Sequence, residues 1–418
     1  MEFAGVIFFI GALVFLSHFF VGIFSKTQIP DILWLMLIGV LLGPLLGFIR
    51  PDHFGELGKI LAKITLVVIL FEGGLEIRLD FLKRYLGSAL FLTISSYLVC
   101  FFILWFFLSS LGSFGSLGAI FPAAILAGPA PSVVIPMLKH MKLQDSTRTI
   151  LSIEATLGEA LCILVSLAIL QRVTNLELAQ MGLGYFFFKL GVSFVLAIFL
   201  GFFAGYIWSL LLTRVRKLHN SLFTTPAFVF IVFGLAEILT ISGPIAVLVF
   251  GITMGNIRYV TNRFFKNLEV GNVVSHTKAE KNFFSEIVFI LKIFFFIYLG
   301  ISIDFSQINA FIVGGIVVVL ILVARWSTAV SLRPILKWSL SDARQVMSMF
   351  PRGLAAAILA SVPMIQGIEG SEEVASIVNY TVFLSIILTS VMIFWTSRHG
   401  QMMESAGDED TVTEASKK

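Results

Sequence analysis

Apolar stretches of about 20 residues, each long enough to cross a bilayer as a helix, recur almost from end to end of this chain. Hydrophobic residues make up 58% of its 418 residues, while charged residues make up 13%, about half the share of a soluble domain. A soluble interior has no room for so much Phe, Leu, Ile and Val, so most of these side chains must face lipid. The sequence therefore predicts an all-α integral membrane protein.

Clusters of charged and turn-forming residues divide the chain into thirteen candidate spanning helices, with residues 1–397 as one transmembrane domain. The first segment is too long for a signal-peptide core and has no basic flank before it, which indicates a retained helix. Residues 398–418 form a polar tail with an acidic run, and we expect this tail to be disordered. The segments are 3–24, 30–49, 57–77, 85–110, 115–138, 149–171, 183–212, 222–240, 242–257, 283–303, 308–332, 346–366 and 374–396.

Basic residues are distributed unevenly between the connections of these segments. With the N-terminus outside, alternate connections hold most of the Lys and Arg, whereas the opposite connections are mostly acidic or uncharged. This bias predicts a cytoplasmic C-terminus, in a cell membrane that we expect to be a prokaryotic inner membrane. The net charge of +4 therefore reflects topology and not nucleic-acid binding. Basic residues on the predicted cytoplasmic side include Lys26, Lys139, Arg148, Arg214, Arg258, Arg333, Lys337 and Arg344.

Two of the segments contain helix-breaking sequences. Residues 127–131 of the fifth segment read Ala-Gly-Pro-Ala-Pro, and residues 350–353 of the twelfth read Phe-Pro-Arg-Gly. Pro removes a backbone donor and Gly loosens a helix, so both segments should expose backbone groups that must line a cavity or face protein. If helices 1–6 and 8–13 are inverted repeats, each break falls in the fifth helix of its half. This placement favours a transporter with two discontinuous crossing helices.

Two acids lie in the sixth segment, where a charge at the bilayer centre costs about 2.5–3.5 kcal/mol and therefore requires a partner or a function. Glu154 and Glu159 are about 140° apart around the helix, so they cannot serve one site from one face. We assign Glu154 to a structural ion pair with Arg325 of the eleventh segment, with Arg352 of the second break nearby.

This assignment leaves Glu159 without an obvious counter-charge. Desolvation of a carboxylate favours its binding of either a proton or a small monovalent cation, and this competition is what ion exchange requires. The alternative is that Glu159 pairs with Lys292, which is otherwise a possible modulating residue. No Cys-x-x-Cys or His cluster predicts a metal cofactor, so the metal at Glu159 would be transported Na⁺ or K⁺. Cys100 and Cys162 are expected to be free thiols.

Several motifs resemble the sodium/proton exchanger branch of the monovalent cation:proton antiporter superfamily, over nearly the whole chain. The family's sixth-helix pattern, Glu-Ser-x-x-Asn/Ser/Thr-Asp, corresponds here to residues 154–159, and Arg325 and Arg352 match its two arginines. The remaining similar motifs are LFEGGLEIRLDFLKR at 70–84, PSVVIP at 131–136, SGPIAV at 242–247 and FFFIYLG at 294–300.

The resemblance implies a core domain, a dimerisation domain and a homodimer, with an ion-binding aspartate where this chain has Glu159. Gly158 replaces the polar neighbour of that residue, and Gly128 stands where many members have an acid or a hydroxyl. Backbone groups and hydroxyls must then complete the site. The ion- and proton-binding set that the resemblance implies is Glu159, Thr156, Ser132, Ala127 and Gly128.

The sequence thus predicts a secondary active transporter, not an enzyme, that exchanges Na⁺ or K⁺ for H⁺ in a lipid bilayer by alternating access. With one unpaired carboxylate, we expect electroneutral, one-for-one exchange. Two alternatives remain at this point. An organic-anion porter of similar architecture could use Arg352 and Lys292, and a non-transporting sensor or degenerate paralogue would fit the glycines at 128 and 158.

Overall fold

The computed structural model describes residues 11–12, 15, 31–49, 55–76, 79–112, 114, 118–139, 141, 143–174, 183–216, 221–259, 277–303, 305, 307–365 and 367–415. Over these residues the chain is helical, with no strand. The first predicted spanning segment, 3–24, lies almost entirely outside the described residues, and Lys26 also lies outside them. The number thirteen therefore stays a prediction.

Fourteen α-helices with assigned bounds run through the described residues. They are α1 Asp31–Val40, α2 Gly55–Glu76, α3 Leu79–Leu111, α4 Ile120–Leu126, α5 Pro131–Lys139, α6 Asp145–Thr174, α7 Leu183–Val215, α8 Thr224–Ile238, α9 Gly243–Gly255, α10 Lys278–Ile301, α11 Ile308–Leu336, α12 Leu340–Met347, α13 Leu354–Ile365 and α14 Ser371–Ala415.

Six stretches are long and apolar enough to cross a membrane, by length and composition. They are Tyr85–Leu111, Asp145–Leu170, Gly191–Leu212, Asn282–Ile301, Ile308–Leu336 and Ser371–Ile393. Shorter apolar helices occur where Pro and Gly interrupt the chain, as in α4, α5 and α13. The all-helical membrane class predicted from hydropathy agrees with this architecture.

The helices pack as two bundles. The scaffold bundle consists of α1, α2, α7, α8, α9 and α10, and the site bundle consists of α3–α6 and α11–α14. Helices pack extensively within each bundle, whereas only a few contacts, such as those of α13 with α2 and α10, join the two. The assignment of these bundles to a core domain and a dimerisation domain stays a prediction.

Close approach of backbones holds the scaffold bundle together. A Cβ on Gly74 of α2 would lie 3.0 Å from the Cα of Gly251 of α9, and one on Gly39 of α1 would lie 2.9 Å from the Cα of Gly300 of α10. Small residues at such crossings allow van der Waals packing where lipid provides little hydrophobic drive between helices. The glycines therefore fix these two helix pairs at short separation.

The tail differs from the expectation of disorder, because α14 continues as helix through Ala415. No Pro occurs between Ser371 and the chain end, and the tail contains helix-favouring Glu, Gln, Met and Ala. Gly400 and Gly407 are the local residues that oppose the helix in this stretch.

Candidate functional site

The two breaks predicted from sequence cross each other inside the site bundle. Helix α4 ends at Leu126 and α5 begins at Pro131, while α12 ends at Met347 and α13 begins at Leu354. The backbone N–H of Ala130 donates to the carbonyl of Pro351 at 2.9 Å. Each break thus satisfies part of the other's backbone, as non-helical chain at membrane depth requires.

The crossing leaves no room for a side chain at Gly353. A Cβ there would collide with the Cβ of Ala130 and would lie 3.5 Å from the Ser132 hydroxyl oxygen. Ser132 is buried, and its Oγ has no hydrogen-bond partner among the described residues. This hydroxyl in the first turn of α5 therefore faces the second break with its bonding capacity unused.

Glu159 of α6 reaches the same crossing and is only 5% exposed. The backbone N–H of Ala355, in the first turn of α13, lies near its carboxylate. The Oε2 atom is buried with no hydrogen-bond partner in the described part of the chain. A helix N-terminus favours a negative charge, while the unpaired oxygen retains lone pairs for a proton or a cation.

The two glycines that replace polar residues of the family pattern pack against each other. A Cβ on Gly128 would lie 2.5 Å from the carbonyl oxygen of Gly158 and 2.9 Å from Cys162 Sγ. A Cβ on Gly158 would lie 3.1 Å from Cδ of Pro129. The first break therefore lies directly on α6, one residue before Glu159, and glycine at both positions permits this contact.

Sulfur supplies an acceptor that the sequence pattern did not indicate. The backbone N–H of Gly128 donates to Cys162 Sγ at 3.0 Å. Both Cys162 and Cys100 are free and buried, and both contact groups at the crossing. Their position inside apolar helices had suggested only inert thiols, because a thiol in a hydrophobic segment has no distinctive pattern.

The predicted pair of Glu154 and Arg325 is present as a two-pronged ion pair. Arg325 Nη2 donates to Glu154 Oε2 at 2.8 Å, and Nη1 donates to Oε1. Ser96 of α3 donates to Oε1 at 2.8 Å, and Arg325 Nε donates to the carbonyl of Val346 at 3.0 Å. Both charges are thereby satisfied within protein, as a buried pair requires.

Arg352 does not join this ion pair, which corrects the grouping expected from sequence. Its Nη2 donates to the carbonyl of Ala127 at 3.4 Å and lies 3.4 Å from Cys100 Sγ. Its backbone N–H donates to Ser385 Oγ at 2.9 Å. Because Arg352 belongs to the second break, its guanidinium spans the crossing toward the first break instead of α6.

Two other members of the predicted set have different surroundings from those expected. The Ala127 carbonyl accepts from a guanidinium, which makes it a weaker cation ligand than a free carbonyl. Thr156 is buried on α6, and its hydroxyl donates to the carbonyl of Ser152 at 2.9 Å. Its oxygen keeps lone pairs, but its proton is engaged within the helix.

Lys292 is not the partner of Glu159. Its Nζ lies 3.8 Å from Glu72 Oε2, and both side chains are 22% exposed. The two residues lie on α10 and α2 of the scaffold bundle, while Glu159 lies in the site bundle. Glu237, an exposed acid at the end of α8, accepts from the N–H of Gly243 at 3.1 Å and so caps α9.

Crossed discontinuous helices around a buried carboxylate with an unpaired oxygen are typical of secondary transporters, which place their ion sites between half-helices. Comparison with known proteins gives the same class. Residues 12–399 match the family described as "Sodium/hydrogen exchanger, transmembrane". The chain belongs to this family.

Named relatives and solved structures agree with the family. The chain is 25% identical over 320 residues to "Probable Na(+)/H(+) antiporter 2" of Methanocaldococcus jannaschii, covering 71% of this chain and 70% of that protein. It is 27% identical over 173 residues to "Na(+)/H(+) antiporter 1" of the same organism, covering 41% and 40%. These relatives are antiporters by name, not enzymes.

The fold resembles that of the sodium proton antiporter MjNhaP1 from Methanocaldococcus jannaschii. The structure at pH 8 superposes with a TM-score of 0.72 at 21% identity, over 95% of this chain and 99% of that chain. An electron-microscopy structure of the same antiporter gives a TM-score of 0.75 at 21% identity, over 94% and 96%. At this identity the likeness establishes the fold alone.

Proposed function

We propose that this chain exchanges a monovalent cation, Na⁺ or K⁺, for H⁺ across a cell membrane, with the two ions competing for Glu159. The observation that carries the proposal is the buried Oε2 of Glu159, which has no hydrogen-bond partner in the described part of the chain, at the crossing of two broken helices. Desolvation penalises a bare carboxylate, so an oxygen of this kind is occupied by a proton or by a cation in turn.

Ser132 Oγ is the best additional ligand in the proposed site, since it is buried and unpartnered on the facing half-helix. Thr156 supplies a lone pair from α6, and the backbone at Ala127 and Gly128 closes the site next to the first break. The single carboxylate and these neutral oxygens do not choose between Na⁺ and K⁺ by charge alone.

Charge accounting supports one-for-one, electroneutral exchange. Glu154 and Arg325 neutralise each other in a saturated pair, so they contribute no binding capacity. Glu159 then gains one positive charge whether it takes a proton or a monovalent cation. The loaded protein therefore has the same charge in both transport directions. No net charge crosses the membrane in one cycle, so the membrane potential does not drive the exchange.

Alternating access would move the site bundle against the scaffold bundle. Few contacts join the two bundles, which is compatible with such a movement. We place the N-terminus outside and the C-terminus in the cytoplasm, from the distribution of basic residues. A homodimer formed through the scaffold bundle follows from family membership and belongs to this proposal.

An organic-anion porter is the second candidate, because Arg352 is buried and its Nε has no partner in the described residues. The cavity beside Arg352 and Arg325 measures about 10 Å³, room for about one water molecule. An organic carboxylate does not fit this space, so cation exchange is the better interpretation.

The test is proton flux in proteoliposomes that contain a pH-sensitive dye, driven by outward or inward gradients of Na⁺, K⁺ or Li⁺. We expect flux with at least one cation in the wild type, at a rate that is unchanged when valinomycin and K⁺ set the membrane potential in the Na⁺ and Li⁺ arms. Glu159→Gln should abolish the flux, since an amide holds neither a transferable proton nor the charge that binds a cation.

Glu237→Gln is the control, because it removes a carboxylate that lies outside the helix crossing and accepts from the Gly243 N–H at the start of α9. It should leave the flux close to that of the wild type. Full flux in correctly folded Glu159→Gln would refute the assigned site, and no response of the wild type to any alkali cation would favour a non-transporting protein.

A further inference from the structure

A cavity of about 470 Å³ opens beside the junction of α11 and α12, away from the helix crossing. Its walls include Arg333 and Lys337 from the end of α11 and Arg344 from α12, together with Trp338 between them. None of the residues that line it belongs to the proposed ion site. The charge distribution predicts that this junction lies at the cytoplasmic surface of the membrane.

The cavity is strongly basic. All three cationic side chains belong to exposed residues, and no acidic residue lines the walls. Over the described ranges no ion pair neutralises any of them; Arg333 Nε donates only weakly, at 3.5 Å, to the carbonyl of Trp338. Three uncompensated positive charges around one cavity attract an anion with several oxygens.

The remaining walls are apolar. Val330, Pro334, Leu340 and Met347 line the cavity, and Leu340 is 51% exposed. Trp338 is 5% exposed, yet its indole Nε1 is buried without a hydrogen-bond partner among the described residues. Because this nitrogen has almost no accessible surface, it does not face the open cavity, and Trp338 contributes an apolar ring to the wall.

We propose that this cavity binds an anionic phospholipid. Its phosphate would lie between Arg333, Lys337 and Arg344, and an acyl chain would follow Val330 and Leu340 toward the bilayer. Basic pockets between helices on the cytoplasmic side are suited to such headgroups. A free phosphate would use the cations but would leave the apolar walls uncovered, which is why we assign a lipid.

The site lies on the bundle that carries Glu159. Arg333 is on the same helix as Arg325, and α12 leads directly into the second break. Lipid binding does not depend on the proposed exchange activity, however, and is measured without transport. Failure to bind lipid would not count against the proposed ion site. Failure to exchange ions would likewise not count against the lipid site.

The test is thermal unfolding of the purified full chain in a neutral detergent, titrated separately with phosphatidylglycerol, phosphatidylcholine, glycerol phosphate and inorganic phosphate. We expect phosphatidylglycerol to raise the unfolding midpoint by several degrees and the other three to have little effect. In the double variant Arg333→Gln/Arg344→Gln, the apparent affinity for phosphatidylglycerol should fall about 30-fold, the effect of losing two basic residues near an anionic surface.

Arg214→Gln/Arg258→Gln is the matched control, because it removes two exposed arginines of the predicted cytoplasmic side that lie outside the cavity. It should keep the wild-type affinity. The proposal is overturned if both double variants lose affinity equally, if inorganic or glycerol phosphate reproduces the shift, or if phosphatidylglycerol has no specific effect.

Discussion

Buried charges near the helix crossing fall into two kinds. Glu154 and Arg325 satisfy each other through two hydrogen bonds, with Ser96 and a backbone carbonyl completing their shells. Glu159 and Arg352 each retain one buried atom without a partner in the described residues, Oε2 and Nε respectively. The satisfied pair fixes the position of α6 against α11, while the unsatisfied groups remain able to bind.

Cys162 determines how the first break rests on α6, since its sulfur accepts the Gly128 N–H. In Cys162→Ala this buried N–H loses its partner at a cost of about 1 kcal/mol or more. If about 1 kcal/mol of this free energy is lost from cation binding, the cation concentration for half-maximal proton flux should rise by up to roughly fivefold. Dye-monitored flux over a series of cation concentrations measures this shift.

Cys162→Ser separates this role from simple packing, because a hydroxyl can still accept the Gly128 N–H. It should return the half-maximal concentration toward that of the wild type. Cys100→Ala is a further control, since Arg352 keeps its contact with the Ala127 carbonyl. Equal shifts in the alanine and serine variants of Cys162 would contradict the assigned role.

Charged residues near the site were partly predictable from the cost of burying charge, whereas neutral ones were indicated only where the family resemblance named them. The cost of an unpaired charge in a membrane led to the pairing of Glu154 with Arg325. The same argument could not show that Lys292 contacts Glu72, because helix rotation and neighbours are not encoded in hydropathy. Cys162 and Ser96 had no signal at all, since thiols and hydroxyls are common in apolar helices and their partners are set by packing.

At the scale of helices, the breaks were visible in the sequence because Pro and Gly have direct backbone consequences. The first and last residues of the helices were harder to predict from the sequence. Helix α12 begins at Leu340, before the predicted segment at 346, because Ser339 caps it by accepting from the Asp342 N–H at 2.9 Å. This polar first turn falls outside an apolar window, as does the continuation of α14 through its charged tail.

Gly73 and Gly74, adjacent in α2, provide a direct test of the scaffold bundle. A Cβ on Gly74 would strike the Leu248 carbonyl of α9, whereas a Cβ on Gly73 would meet nothing within 4 Å. Gly74→Ala should destabilise the protein by about 1–3 kcal/mol through overpacking. Gly73→Ala should be neutral or slightly stabilising, because alanine favours the helix by up to about 1 kcal/mol.

Thermal unfolding of the two purified variants in one detergent measures the difference. Equal midpoints for Gly73→Ala and Gly74→Ala would show that the α2–α9 contact is not close-packed. The comparison is internal to one helix, so changes in expression or detergent affect both variants alike.

At the scale of the whole molecule, the proposed one-for-one exchange rests on the buried Oε2 of Glu159, which has no partner among the described residues, and on two loosely joined bundles. Hydropathy alone predicted a membrane protein with many helices, but it carried no information on how the helices divide into bundles. That division came from resemblance to a family, and the few contacts between α13 and the scaffold bundle are consistent with it.

Counting protons released when a cation binds tests the central claim most directly. Purified protein in a weakly buffered detergent solution is titrated with NaCl or KCl over a series of pH values, with choline chloride as the control salt. Where Glu159 starts protonated, the account predicts release of about one proton per cation bound by the wild type and by Glu237→Gln, and none by Glu159→Gln. Cation binding without proton release, or undiminished release from Glu159→Gln, would contradict it.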